Sequence, residues 1–239
     1  MNEHNQLGDP RWQDDPNYQA ILRKLDTRYG TCTEIVSFGE SEFYFTKVTH
    51  PHETDLEIDD NGEMLWQPYW AEDWQSSRAI CWLLMQYPIR GTTVLDLGCG
   101  LGLTGAVAAE RLASVCLADN AKPALEFAKI NCWNWMANCT FKLVDWKQTD
   151  NDLGRFDWIV GAEIIYDQQD WPHLSRFWRR HLNPGGTILL CDPFRRTGRQ
   201  FRDWVISENW HARFQDAQIP GFPKPINVIE LQLSESPAA

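Results

Sequence analysis

The run Val94-Leu95-Asp96-Leu97-Gly98-Cys99-Gly100-Leu101-Gly102 constrains this chain more than any other segment. An apolar, β-favouring stretch leads into glycines at alternate positions, and a helical pattern follows over 104–112. Glycine is needed where backbone turns tightly and must approach a ligand with no Cβ in the way. Such a loop belongs between a strand and a helix at the carboxyl edge of a parallel sheet, where ligands bind at the switch point.

The surrounding pattern agrees. Strands are predicted over 93–97, 115–119, 140–144, 157–162 and 187–191. Helices are predicted over 76–87, 104–112, 123–135, 171–181 and 198–208. Asn183-Pro184-Gly185-Gly186 reads as a helix stop and turn. Alternation of this kind gives an α/β, Rossmann-like, doubly wound sheet. Two last strands, 212–218 and 227–233, are joined by a short proline-containing turn. A parallel pair needs a crossover of about a dozen residues or more, so these two must form a terminal antiparallel hairpin, completing seven strands. Upstream, Asp15-Pro16 reads as a helix cap and first helical residue, with a helix to about Arg28. A β-hairpin follows over 34–38 and 42–48, then a polar loop from His50 to Gly62. The expected organisation is an N-terminal extension, 1–64, and one large domain, 65–239.

Composition excludes several classes. The 22 basic and 33 acidic residues give a net charge of −11, which disfavours direct nucleic-acid binding and favours cationic partners. No stretch approaches the ~18 apolar residues of a membrane span. The seven cysteines include no C-x-x-C pair, so reduced thiols in the cytoplasm are expected. His50-Pro51-His52 lacks further suitably spaced ligands, and no metal is required. Most of the 13 tryptophans are read as packing residues, although Trp66, Trp70 and Trp74 lie close enough in sequence for an aromatic cage. The cluster Arg195, Arg196, Arg199 and Arg202 reads as an exposed helix face.

Asp119 ends the second sheet strand, 23 residues after Asp96, where a carboxylate can accept bonds from ribose hydroxyls. Gly100, Gly102 and Gly105 also fit a dinucleotide frame. Three features favour S-adenosylmethionine instead. Asp96 can face the ammonium of a methionine moiety, and would repel a pyrophosphate. The sheet ends in an antiparallel hairpin. Asp145-Trp146, after the third sheet strand, offers a carboxylate for an adenine amino group and a ring for stacking.

The run D-x-G-x-G-x-G with Asp119 and Asp145 at these distances resembles class I methyltransferases. Glu163-Ile164-Ile165-Tyr166, Asp145-Trp146 and Pro68-Tyr69-Trp70-Ala71-Glu72-Asp73-Trp74 resemble the seven-β-strand protein lysine methyltransferase family over roughly 34–234. That family marks the fourth-strand edge with an acid, two variable residues and a tyrosine, usually with aspartate where this chain has Glu163. The resemblance implies S-adenosyl-L-methionine as cofactor, released as S-adenosyl-L-homocysteine, and cofactor contacts by Trp74, Gly98, Gly100, Gly102, Asp119, Trp146 and the backbone of Ala162. It implies catalytic roles for Glu163 and Tyr166, orienting an amine and relaying its proton. Glu72 and Asp73 are expected to attract an incoming cation. A protein lysine side chain and a small amine both remain open as acceptors, beside a non-catalytic binder or a nicotinamide-dependent oxidoreductase. Glu163 has a second reading, as an acid at a helix N-terminus.

Overall fold

A computed structural model describes residues 10–53, 68–149 and 152–233. Asp15 caps the first helix, α1 (Pro16–Tyr29), by accepting from Asn17 N. A two-stranded antiparallel unit follows, β1 (Thr31–Phe38) with β2 (Ser41–Val48), longer at its open end than its β-branched and aromatic core predicts. Trp66 and most of the expected polar loop lie outside the described residues.

The large sheet is built from β3 (Thr93–Leu97), β4 (Ser114–Asp119), β5 (Cys139–Leu143), β6 (Phe156–Ala162), β7 (Leu182–Asp192), β8 (Trp210–Ala217) and β9 (Ile226–Leu233). Its spatial order is β5-β4-β3-β6-β7-β9-β8. The first five strands are mutually parallel, and β9 runs antiparallel to both β7 and β8. The expected seven strands and terminal hairpin are therefore present. Strand order reverses at β3, which lies between β4 and β6, and this opens a crevice at their carboxyl ends.

Side-chain alternation along the strands fills two apolar layers. Val94, Val115 and Leu117 face the layer beneath α2 (Gln75–Leu84), α3 (Leu103–Glu110) and α4 (Lys122–Asn131). Leu95, Leu97, Cys116 and Ala118 face the layer beneath α5 (Trp171–His181) and α6 (Arg196–Ser207).

Two boundaries depart from expectation. The helix predicted over 123–135 ends at Asn131 and continues as a 3₁₀ segment, Trp133–Asn138, in which Trp135 leaves helical geometry. The last helical residue, Asn131, is committed to partners outside the helix. It accepts from Thr46 N (2.7 Å) and donates to Thr46 O (2.9 Å) and Leu101 O (2.8 Å), tying β2 to the glycine loop from a fully buried position. The second departure concerns Asn183–Gly186. These residues do turn, but inside β7: Leu182 pairs with Phe156 and Thr187 with Trp158, so four residues bulge out between consecutive pairs. Asp157 anchors the bulge, accepting from Asn183 Nδ2 (2.8 Å) and Thr93 N (2.9 Å).

Candidate active site

The glycine loop leaves β3 and enters α3 through residues of left-handed backbone, Gly100 at φ +50° and Gly102 at φ +82°. The walls approach closely. A Cβ on Gly98 would stand 3.0 Å from Ile164 Cγ2, and one on Gly100 would stand 3.2 Å from the carbonyl oxygen of Trp70. Asp119, buried at the end of β4, clamps this loop: Oδ2 accepts from Gly100 N (2.9 Å) and Oδ1 from Ala121 N (2.9 Å). Burial pushes its carboxyl pKa up, opposed by those backbone bonds. Beyond β5, Asp145 accepts from Lys147 N (2.9 Å), and the Trp146 indole points its Nε1 at the buried carboxylate of Asp170 at 3.4 Å.

Glu163 stands at the opposite end. It follows β6 at φ +55°, a left-handed conformation rare outside glycine, with its N–H donating to Cys191 O (3.0 Å). Its buried carboxylate accepts from Ser76 Oγ (2.8 Å) and forms an ion pair with Arg195. Burial pushes its pKa up, against the pull of Ser76 and Arg195. Arg195 also lies 5.7 Å from the ring centroid of Trp74, a cation–π approach. Tyr166 meets Tyr69 edge-on at 5.7 Å, and Trp74 Nε1 donates to Tyr69 O (2.8 Å). Tyr69 and Tyr166 are 47% and 40% exposed, so this end of the site is open.

These groups border one cleft of about 910 Å³, within the ~300–1,000 Å³ of small-molecule sites. Gly98, Gly100, Gly102, Asp119, Asp145 and Trp146 line one part, and Trp74, Ala162, Glu163 and Tyr166 another. Asp96 is the exception among the expected site residues. It shares the face of Val94, receives a bond from the Gly105 backbone and does not line the cleft. Burial pushes its pKa up to about 7, and its Oδ2 has no partner.

Two further expectations are overturned by the structure. Glu163 is not at a helix N-terminus: Asp167 caps the 3₁₀ turn Gln168–Asp170 that leads into α5. Asp73 is held by Arg78 (2.6 Å) and Lys47 (3.3 Å), and Glu72 lies 3.1 Å from His52. The arginine cluster is not a uniform exposed face, since Arg195 turns to Glu163 and Arg202 reaches the buried Asn227 (2.5 Å). Arg195 and Ser76 were missed as site residues. Arg195 had a signal in its place just beyond the carboxyl end of β7, the edge where such sheets gather their ligands. Ser76 had none. Trp70 is a packing residue, as most of the tryptophans are expected to be: its ring packs on Tyr29 and Phe127, away from the Trp74–Tyr69 contact.

The lining fits a cationic nucleoside better than a pyrophosphate. Glu72, Asp73, Asp119, Asp145, Glu163 and Asp170 outnumber Lys122, Lys147 and Arg195. Asp119, Trp146 and the glycine loop border the same cleft.

Comparison with known proteins agrees with this geometry. Residues 94–186 match the family model described as a methyltransferase domain. The electron transfer flavoprotein beta subunit lysine methyltransferase of Xenopus laevis is 35% identical over 137 residues, 54% of this chain and 53% of that protein. A protein N-lysine methyltransferase of Danio rerio is 33% identical over 127 residues, 49% and 57% of the respective chains. The chain thus spans about half the length of these curated relatives. A glycopeptide N-methyltransferase crystallised with sinefungin superposes with a TM-score of 0.59 at 14% identity, covering 68% of this chain and 95% of its own. The N-methyltransferase NodS of Bradyrhizobium japonicum gives 0.55 at 17% identity, covering 66% and 96%. At those identities the likeness concerns the fold. Residues 94–186 thus match a methyltransferase domain, the chain shares its fold with these N-methyltransferases, and over the aligned region it is similar to protein lysine methyltransferases.

Proposed function

We propose that this protein transfers a methyl group from S-adenosylmethionine to the side-chain nitrogen of a protein lysine. The observation that carries the reading is the single cleft with two unlike ends: a glycine loop clamped by Asp119, and the group Glu163, Tyr166 and Trp74. Gly98, Gly100, Gly102, Asp119, Asp145, Trp146 and the Ala162 backbone are assigned to the cofactor, with Trp74 over its methionine end. Asp96 supports the loop from behind. Glu163 and Tyr166 are assigned to the acceptor.

When bound, S-adenosylmethionine supplies a sulfonium methyl carbon that an amine lone pair can attack in line with the breaking carbon–sulfur bond. The protein supplies orientation and protonation state. A lysine ammonium with pKa ~10.4 must first lose a proton, which desolvation promotes. The exposed edges of Tyr69 and Tyr166 support an acceptor borne on a macromolecule, since an isolated small amine would favour an enclosed channel. A cytoplasmic site of action accords with seven free thiols, six of them buried. Among the described residues no helix is long and apolar enough to cross a membrane.

The test is transfer of label from tritiated S-adenosylmethionine to a cell lysate. Label should enter protein and appear as methyl-lysine after hydrolysis. Label confined to small molecules would overturn the protein acceptor. In the same assay Glu163→Gln should lower turnover about 30-fold and Tyr166→Phe about tenfold, below the ~10²–10⁴ of full acid–base catalysis because both groups orient the amine. S-adenosylhomocysteine affinity, measured by calorimetry, should change less than threefold. An equal loss in both quantities would remove these residues from the acceptor side.

A further inference from the structure

Glu163 poses a difficulty for amine methylation. A carboxylate beside the acceptor stabilises the ammonium, the form with no lone pair to donate. The sheet edge resolves it with a cation delivered from the neighbouring strand. Two non-glycine residues with left-handed backbone stand at adjacent strand ends, Glu163 at φ +55° after β6 and Phe194 at φ +50° after β7. Strain of this kind persists where surrounding structure enforces it, and it clusters at functional sites. Here the enforcement is visible. Asp192 Oδ2 accepts from Arg195 N (3.2 Å), and Gly198 permits the close approach, since a Cβ there would stand 2.4 Å from that same oxygen. The result aims the Arg195 guanidinium at the Glu163 carboxylate, against the face of Trp74.

We propose that Arg195 is a positioning residue that keeps the acceptor amine neutral: it compensates Glu163, so that the carboxylate orients an amine without holding it as an ammonium. The inference rests on the methyltransferase reading. Several other groups around the site have partners of their own or are uncharged. Asp192 is the second carboxylate near Glu163 and relies on the same arginine. The Cys191 thiol behind them is pushed up by burial and stays neutral, as does the Tyr166 hydroxyl. Beyond Tyr166, Asp170 pairs with Lys147 (2.7 Å). On the side of α2, Asp73 and Glu34 are shared by Arg78 and Lys47, and Glu72 faces His52. Among the described residues no other lining cation stands at Glu163 to replace Arg195.

In the reaction the ammonium first gives one proton to solvent. The neutral nitrogen then forms the new carbon–nitrogen bond while the carbon–sulfur bond breaks, its electron pair staying on sulfur. The positive charge passes from sulfur to the methylated nitrogen, which leaves the site as the methylammonium that is stable in water.

The test is the pH dependence of the initial rate of tritium incorporation into one lysate at saturating cofactor, for wild type, Arg195→Gln and Arg195→Lys. Using the same lysate cancels the acceptors' own titration. Removing the cation raises the bound amine's pKa, so the acid limb of Arg195→Gln should move up by about one pH unit, within the ~1–3 units of a neighbouring charge. Its rate should fall about tenfold near neutrality and converge on wild type at alkaline pH. Arg195→Lys should keep the wild-type profile, and S-adenosylhomocysteine binding by calorimetry should confirm that each variant is folded. A loss of equal size at every pH, or an unmoved limb, would overturn the inference alone. Absence of label with wild type would overturn the methyltransferase reading and this inference with it.

Discussion

Gly102→Ala should lower the melting temperature by roughly 10 °C. The residue sits at φ +82°, where an L side chain costs ~1–2 kcal/mol. The added Cβ would also lie 2.6 Å from both Cα and Cβ of Ala128, and backbone at that distance cannot rotate away. Overpacking of this kind costs ~1–3 kcal/mol, giving roughly 3 kcal/mol together. In a chain of this size each kcal/mol moves the midpoint by ~2–4 °C. Gly221 provides the control, since it shares φ +82° with nothing within 4 Å of its would-be Cβ. Gly221→Ala should therefore show only the dihedral cost, about a third to a half of the shift. Equal shifts in differential scanning calorimetry would show that packing against α4 contributes nothing.

Asp119→Ala should weaken S-adenosylhomocysteine binding about 100-fold while the chain remains folded. Two losses combine. The carboxylate assigned to the ribose hydroxyls disappears, and Gly100 N loses its clamp, freeing the loop to leave its binding conformation. Hydrogen bonds to a charged group are worth ~1.5–3 kcal/mol, and ~2.7 kcal/mol corresponds to 100-fold in affinity. Turnover at saturating cofactor should fall by much less, because Asp119 stands apart from Glu163 and Tyr166. Calorimetric titration gives the affinity, and unchanged affinity would remove Asp119 from the cofactor site. Burial raises the carboxyl pKa of Asp119, so this group's contribution to binding should decline on acidification, starting at a higher pH than for an exposed aspartate.

Legibility in the sequence followed the range of the interactions. The sheet and its terminal hairpin were readable because strand and helix periodicity is local, and a short turn admits only an antiparallel pair. Residues that reach the cleft through backbone position, such as Gly98, Asp119, Trp146 and Glu163, were readable because each ends or follows a strand. Side-chain direction across elements was not. Asp96 lies two positions before Gly98, yet strand alternation turns it to the face of Val94 and away from the cleft. Arg195 looked like one of four arginines on a helix, and only the left-handed step at Phe194 sends it to Glu163. The role of Asn131 at the end of α4 was equally hidden, because it answers to Thr46, 85 positions earlier in the chain.

A crystal structure with S-adenosylhomocysteine tests the central claim most directly. The expected result is a sugar against Asp119, an adenine beside Trp146 and a sulfur directed at the gap between Trp74, Glu163 and Tyr166. A ligand seated elsewhere, or one whose sulfur points away from Glu163, would contradict it.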